Sequence, residues 1–197
     1  MPPHELRSPT RRADAVRNRD KILAAARTAF AGSDAPVSMA EISRQADVGM
    51  ATLYRNFPGR RELLEALFID EVDAICEAAE TVDGETPAAA LMVWLHRFFG
   101  FATSKRHIAS ELLADSGGAN PLLHESRARV LTAARPLLLA AQRAHEVRAN
   151  VTFEQVLDLI VAIAAIHGDP SYLGPILQTA LDGLCPPPDV ETVPGSE

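Results

Sequence analysis

Cysteine is scarce in this chain. Cys76 and Cys185 are the two among 197 residues, and they lie 109 positions apart with no CxxC or metal-type spacing. A disulfide framework or zinc site is therefore not expected. Aromatic residues make up 5% of the chain, and no sustained alternation of apolar and polar residues occurs, which removes the usual signal for strands. No apolar run, Leu159 to Ile166 included, exceeds eight residues, far short of the ~20 that span a bilayer. Catalytic signatures are missing as well. The 11 glycines form no GxGxxG, GxxxxGK[ST] or GxSxG, HExxH is absent, and His96, His107, His124, His145 and His167 have no metal spacing. The expectation is a protein that is not an enzyme, with no metal, no cofactor and no membrane segment. Arg7, Arg11, Arg12, Arg17 and Arg19 have no apolar stretch behind them, unlike a secretory leader, so a cytoplasmic location is expected.

What is abundant is alanine, at 33 positions, and acid, with 26 Asp+Glu against 19 Lys+Arg for a net charge of −7. The acid is unevenly placed. Residues 1–69 hold 11 basic and 8 acidic residues, net +3, whereas residues 70–197 hold 8 and 18, net −10. A basic head on an acidic body points to contact of the head with nucleic acid or a membrane surface.

Periodicity reads as helix nearly throughout, which predicts an all-α protein of about nine helices. Residues 1–13 read as a flexible basic arm. A helix from about Asp14 to Ala31 puts Ile22, Leu23, Ala26, Ala29 and Phe30 on one face and stops at Gly32-Ser33-Asp34. Ser38 to Glu41 has the form of a capping box opening a short helix to about Ala46. After Asp47-Val48-Gly49, a second short helix from Met50 stops at Phe57-Pro58. Further helices are predicted over residues 60–82, 87–103, 105–115, 121–147, 153–167 and 171–184. Thr86-Pro87, Asn120-Pro121 and Thr152 to Gln155 mark starts; Gly117-Gly118 and Gly168-Asp169-Pro170 mark breaks; Pro136 is expected to kink its helix. Residues 186–197 read as a flexible acidic tail.

Two short helices joined by a three-residue turn, inside the basic head, have the form of a helix-turn-helix. Ser43 is small where the helices must cross, and Asp47 tolerates left-handed backbone. Ile42, Val48, Leu53 and Phe57 can pack against Phe30. Gly49, Met50, Ala51, Thr52, Tyr54, Arg55 and Asn56 are left on or near an exposed two-turn helix, with side chains suited to a groove floor and to phosphates.

At Arg19 to Ala26, Val37 to Ile42 and above all Ala46 to Leu64, which reads ADVGMATLYRNFPGRRELL, the sequence resembles the DNA-binding domain of the tetracycline-repressor (TetR) family. The resemblance covers residues 17–68. It implies a helix-turn-helix domain over residues 14–68 and a ligand-binding and dimerisation bundle over 69–185. It also implies a homodimer on a near-palindromic double-stranded DNA operator, released by a small-molecule effector. By position, Thr52 and Tyr54 match phosphate contacts, Arg60 matches a basic residue at the start of the fourth helix, and Asp47 stands where glycine is usual. The expected DNA-contact set is Ser38, Gly49, Met50, Ala51, Thr52, Tyr54, Arg55, Asn56 and Arg60. Arg55 is expected at a phosphate or guanine edge, and Met50 and Ala51 at thymine methyls.

In the body, Met92, Trp94, His96, Phe98, Phe99, Leu113 and Arg127 are the expected lining of a site for a small hydrophobic effector. His96 stands out as a polar group in the most apolar helix. Leu157, Ile160, Val161 and Ala164, with Leu177, Ala180, Leu181 and Leu184, are expected to face a second copy in a four-helix bundle. The alternative is a DNA-binding regulator or architectural protein with no ligand, whose body only dimerises.

Overall fold

The computed structural model describes residues 9–31, 37–115 and 120–186. Its described residues form eight helices and no strand: α1 (Pro9–Ala31), α2 (Met39–Gln45), α3 (Met50–Asn56), α4 (Arg60–Thr81), α5 (Pro87–Asp115), α6 (Pro121–Arg143), α7 (Phe153–Ala165) and α8 (Pro170–Asp182). The all-α expectation is met. Residues 1–8 of the expected arm, the stops at Gly32-Ser33-Asp34 and Gly117-Gly118, and tail residues 187–197 lie outside the described residues.

Most boundaries follow local chemistry. Thr152 and Gln155 form the full reciprocal capping box that opens α7. Asn120 accepts from the Leu122 N–H ahead of Pro121, and Asp169 accepts from Ser171 and Tyr172 ahead of Pro170. Those hydrogen bonds hold the exposed Asp169 carboxyl below its ordinary range.

Some boundaries differ from expectation. α1 begins at Pro9, so residues 9–13 of the expected arm are helical. Residues 87–115 make one helix where two were expected. Nothing from Thr103 to Lys105 breaks it, and the Thr103 and Ser104 hydroxyls turn back onto the helix's own carbonyls at Phe99 and Phe101. α6 continues through exposed Pro136 and ends at Arg143. There His145 takes a left-handed φ of 59°, its N–H donating to Gln142 O and that of Glu146 to Ala141 O, a Schellman closure that stops the helix short of Val147.

The chain forms two compact units. The first comprises α1, α2, α3, α4 through Asp70 and α5 from Ile108; the second takes α4 from Glu71, α5 through His107, and α6 to α8. In the first, α1 packs on α2 and α3, and Ile22, Ala26, Ile42, Leu53, Phe57, Leu63, Leu64 and Leu67 are buried. In the second, α7 packs on α6 and α8. Its centre is Trp94, whose ring stacks on Phe98 at 5.3 Å and tilts against Phe153 at 5.8 Å. The indole N–H donates to the Ile75 carbonyl at 3.0 Å. Lys105 is buried and paired with Glu71 at 3.3 Å. Gly84 lies so close to the first turn of α5 that an added Cβ would sit 2.5 Å from the Ala90 nitrogen.

Candidate nucleic-acid interface

α2 and the turn that leads to α3 are held by backbone hydrogen bonds and two serine hydroxyls. Ser38 caps α2, its hydroxyl accepting from the Glu41 N–H at 3.1 Å. The other half of the expected capping box is taken over by neighbours: the Glu41 carboxylate pairs with Arg44 and accepts from Gln45, which holds its pKa down. At the far end of α2, Asp47 has a φ of 52°, its N–H donates to Arg44 O and that of Val48 to Ser43 O. The buried Ser43 hydroxyl then donates to the Val48 carbonyl at 2.6 Å and ties the turn to α2.

Left-handed backbone disfavours residues with a Cβ, aspartate less than most. Replacing Asp47 by glycine is therefore expected to raise stability by roughly 0.5–1 kcal/mol, and by valine to lower it by more than ~1 kcal/mol. Thermal unfolding of the two variants checks the order; a valine variant as stable as wild type would contradict this account of the turn.

α3 is anchored by Leu53, and Phe57 just past its end, both buried. The exposed Arg19 guanidinium of α1 lies 4.7 Å from the centroid of the Phe57 ring. With that side fixed, Met50, Ala51, Tyr54 and Arg55 are exposed, as are Gly49 and Ser38, while Thr52 and Asn56 are half-buried. Arg55 donates to the Thr52 hydroxyl at 2.8 Å, so the hydroxyl orients the guanidinium and keeps its own proton for another acceptor. The Asn56 amide donates to the Thr52 carbonyl at 2.8 Å, which commits that group to the last turn of the helix. The exposed face thus offers a thioether, a methyl, a phenol and a guanidinium within seven residues, a set fit for groove and phosphate contacts.

Arg60 stands differently. Its Nε and Nη2 donate to the two carboxylate oxygens of Glu111, the latter at 2.9 Å, and its Nη1 donates to the Val37 carbonyl. Its guanidinium also lies 5.2 Å from the centroid of the Phe30 ring. The sequence gives no sign of the Glu111 pairing, because 51 positions separate the partners and a glutamate on a helix carries no mark of where it reaches.

Of the expected effector residues, Leu113 belongs to the first unit and the other six to the second. Trp94 and Phe98 are core, Met92 and Phe99 are half-buried, and His96 is exposed with a ring nitrogen 2.8 Å from the Met92 carbonyl. That bond answers the polar group that stood out in an apolar helix. Arg127 pairs with Asp158 at 2.8 Å. No group of three or more His, Cys, Asp or Glu that could hold a metal occurs among the described residues. Cys76 and Cys185 are free thiols, the first half-buried with its pKa raised by burial.

The expected dimer face needs correction. Leu157, Ile160, Ala164, Leu177, Leu181 and Leu184 are each at most 5% exposed within the single chain, so they fill its own core and leave nothing for a partner to cover. Ala180 is half-buried and Val161 exposed. The large apolar groups that α7, α8 and their junction present to solvent are Leu159, Val161, Ile166 and Tyr172.

Residues 22–67 match the family described as bacterial regulatory proteins, tetR family, and residues 86–186 match the C-terminal domain of SbtR-like transcriptional regulators. Among solved structures, a TetR transcriptional regulator from Streptomyces coelicolor is 35% identical, with a TM-score of 0.71 over 85% of this chain and 98% of that one. A TetR transcription regulatory protein from Mycobacterium vanbaalenii is 32% identical, with a TM-score of 0.68 over 88% and 98%. The TetR family protein CprB from Streptomyces coelicolor, at 23% identity and a TM-score of 0.61 over 88% of this chain and 90% of that one, shares the fold. No curated protein sequence matches the chain.

Proposed function

The chain belongs to the TetR family of bacterial transcriptional regulators, and from that premise we propose that it is a ligand-responsive repressor that binds a near-palindromic operator as a homodimer. The observation that carries the reading is α3: Leu53 and Phe57 fix one side of a short helix, and the turn locked by Asp47 and Ser43 leaves Met50, Ala51, Tyr54 and Arg55 exposed. Two such helices, related by a two-fold axis, read half-sites whose spacing is set by the dimer. The net +3 of residues 1–69 favours phosphate there, and the net −10 of the remainder disfavours it elsewhere.

In the dimer, the partner covers the exposed apolar groups of α7 and α8. A small apolar effector that binds the body of one dimer geometry better than the other releases DNA, and ~1–3 kcal/mol of differential affinity is a typical coupling. The half-buried apolar side chains that α5 carries outside its buried Trp94 and Phe98, Met92 and Phe99 among them, support an apolar rather than a charged ligand.

The test is to select operator fragments from genomic DNA with the purified chain and then measure Tyr54→Ala and Arg55→Ala on the selected site. Arg55→Ala is expected to weaken binding by ~1–3 kcal/mol, roughly 5- to 150-fold, and to relax selection at one base pair of each half-site. Tyr54→Ala is expected to weaken all sites alike, as loss of a phosphate contact does. Unchanged affinity in both variants would remove α3 from the interface.

A further inference from the structure

The residue that opens α4 is a basic one, and the resemblance of this segment to other helix-turn-helix heads puts it in the expected DNA-contact set. The structure commits its guanidinium to protein. Arg60 meets Glu111 as a two-pronged pair, reaches the Val37 carbonyl, and stacks over Phe30. A guanidinium has five N–H groups in a fixed planar fork, and here the fork bonds two acceptors while the cation lies over a ring, so that it touches three separate pieces of one compact unit. Phe30 lies near the end of α1. Val37 immediately precedes Ser38, the cap of α2. Glu111 comes from the last two turns of α5, a stretch that clusters with the DNA-binding unit. Both side chains are about one-third exposed, and the hydrogen bonds from Arg60 hold the Glu111 carboxyl below its usual range. The carboxylate also neutralises the cation and sets a negative charge beside it, which a phosphate would avoid.

We propose that Arg60 and Glu111 are positioning residues for DNA binding: their pair fixes the end of α1 and the entry of α2, and Arg60 makes no phosphate contact. The proposal rests on the DNA-binding reading above and changes which residues carry it. Glu111 joins the determinants of affinity although it is far along the chain from α3, and Arg60 leaves the contact set.

The test uses the full chain and the selected operator fragment, with affinity measured over a range of salt for wild type, Arg60→Lys, Glu111→Gln and the double variant. Circular dichroism melts confirm that each is folded at the assay temperature, and Glu111→Gln keeps the shape and one acceptor of the native side chain. Arg60→Lys retains the charge but loses the fork, so it is expected to weaken binding by roughly five- to tenfold. Glu111→Gln is expected to do the same, and the double variant no more than either alone. The slope of log affinity against log salt stays that of wild type in all four.

A phosphate contact gives the reverse pattern. Arg60→Lys then binds as wild type does, and Glu111→Gln releases a cation, tightening binding and steepening the slope by about 0.9. Either result overturns the proposal while leaving the regulator reading intact. A wild-type chain that selects no DNA sequence sinks both.

Discussion

Replacing Trp94 by alanine is expected to lower stability by about 3–5 kcal/mol, the range for truncating a fully buried large aromatic. The ring is 0% exposed, and it stacks on Phe98 of its own helix, meets Phe153 of α7 and donates to the Ile75 carbonyl of α4. One side chain therefore joins three helices of the second unit, and its removal leaves a cavity that no single neighbour can close. Domains of this kind have about 5–15 kcal/mol in hand, so the variant should stand close to unfolding at physiological temperature. Trp94→Phe separates the contributions. It keeps most of the packing and loses the indole donor, while the Ile75 carbonyl still serves the α4 ladder, so a smaller loss of about 1–2 kcal/mol is expected. Urea unfolding followed by far-ultraviolet circular dichroism measures both. Since Trp94 is the single tryptophan, wild-type fluorescence reports on this core alone. A loss under ~1 kcal/mol in the alanine variant would show that the stack is not what holds these helices together.

The elements that could be read from the chain are those decided within a few residues. Ser38, Thr152, Asn120-Pro121 and Asp169-Pro170 start helices because a side-chain oxygen reaches the first free N–H groups and proline needs no donor there. The left-handed Asp47 was legible for the same reason: a short polar residue follows a short helix where the chain must turn. The exposed side of α3 follows from Leu53 and Phe57 as its anchors. Continuity of α5 was less legible, because a pair of hydroxyl residues reads as a boundary until their bonds back to the helix are seen. Two things needed three dimensions. One was the Glu111 partner of Arg60, a contact between residues that sequence distance keeps apart. The other was the rotational phase of α7. Leu159 to Ile166 is apolar at every position, so periodicity cannot say which side faces the core.

The phases of α7 and α8 decide which substitutions can break a dimer without unfolding the chain. Leu181 is buried within its own chain, so Leu181→Arg would place an unpaired guanidinium in an apolar core at a penalty of several kcal/mol. The expected result is an unfolded chain, not a folded monomer. Leu159 and Tyr172 are 43% and 59% exposed on α7 and α8, so a charge there is tolerated by the isolated chain and felt only when a second copy approaches. Leu159→Glu with Tyr172→Glu adds acid to a body that is already net −10. In a two-fold contact, each new carboxylate recurs on the partner. The double variant is therefore expected to keep the wild-type melting temperature within a few degrees, to sediment as a monomer, and to lose affinity for the full operator by roughly 10²- to 10⁴-fold, since two half-sites are no longer held by one linked pair of heads. Binding to a single half-site should be unchanged, because α3 and its supports lie in the other compact unit. A double variant that still sediments as a dimer would move the interface off α7 and α8. A folded monomer from Leu181→Arg would instead restore the buried residues to the contact and contradict the packing described for α7 and α8.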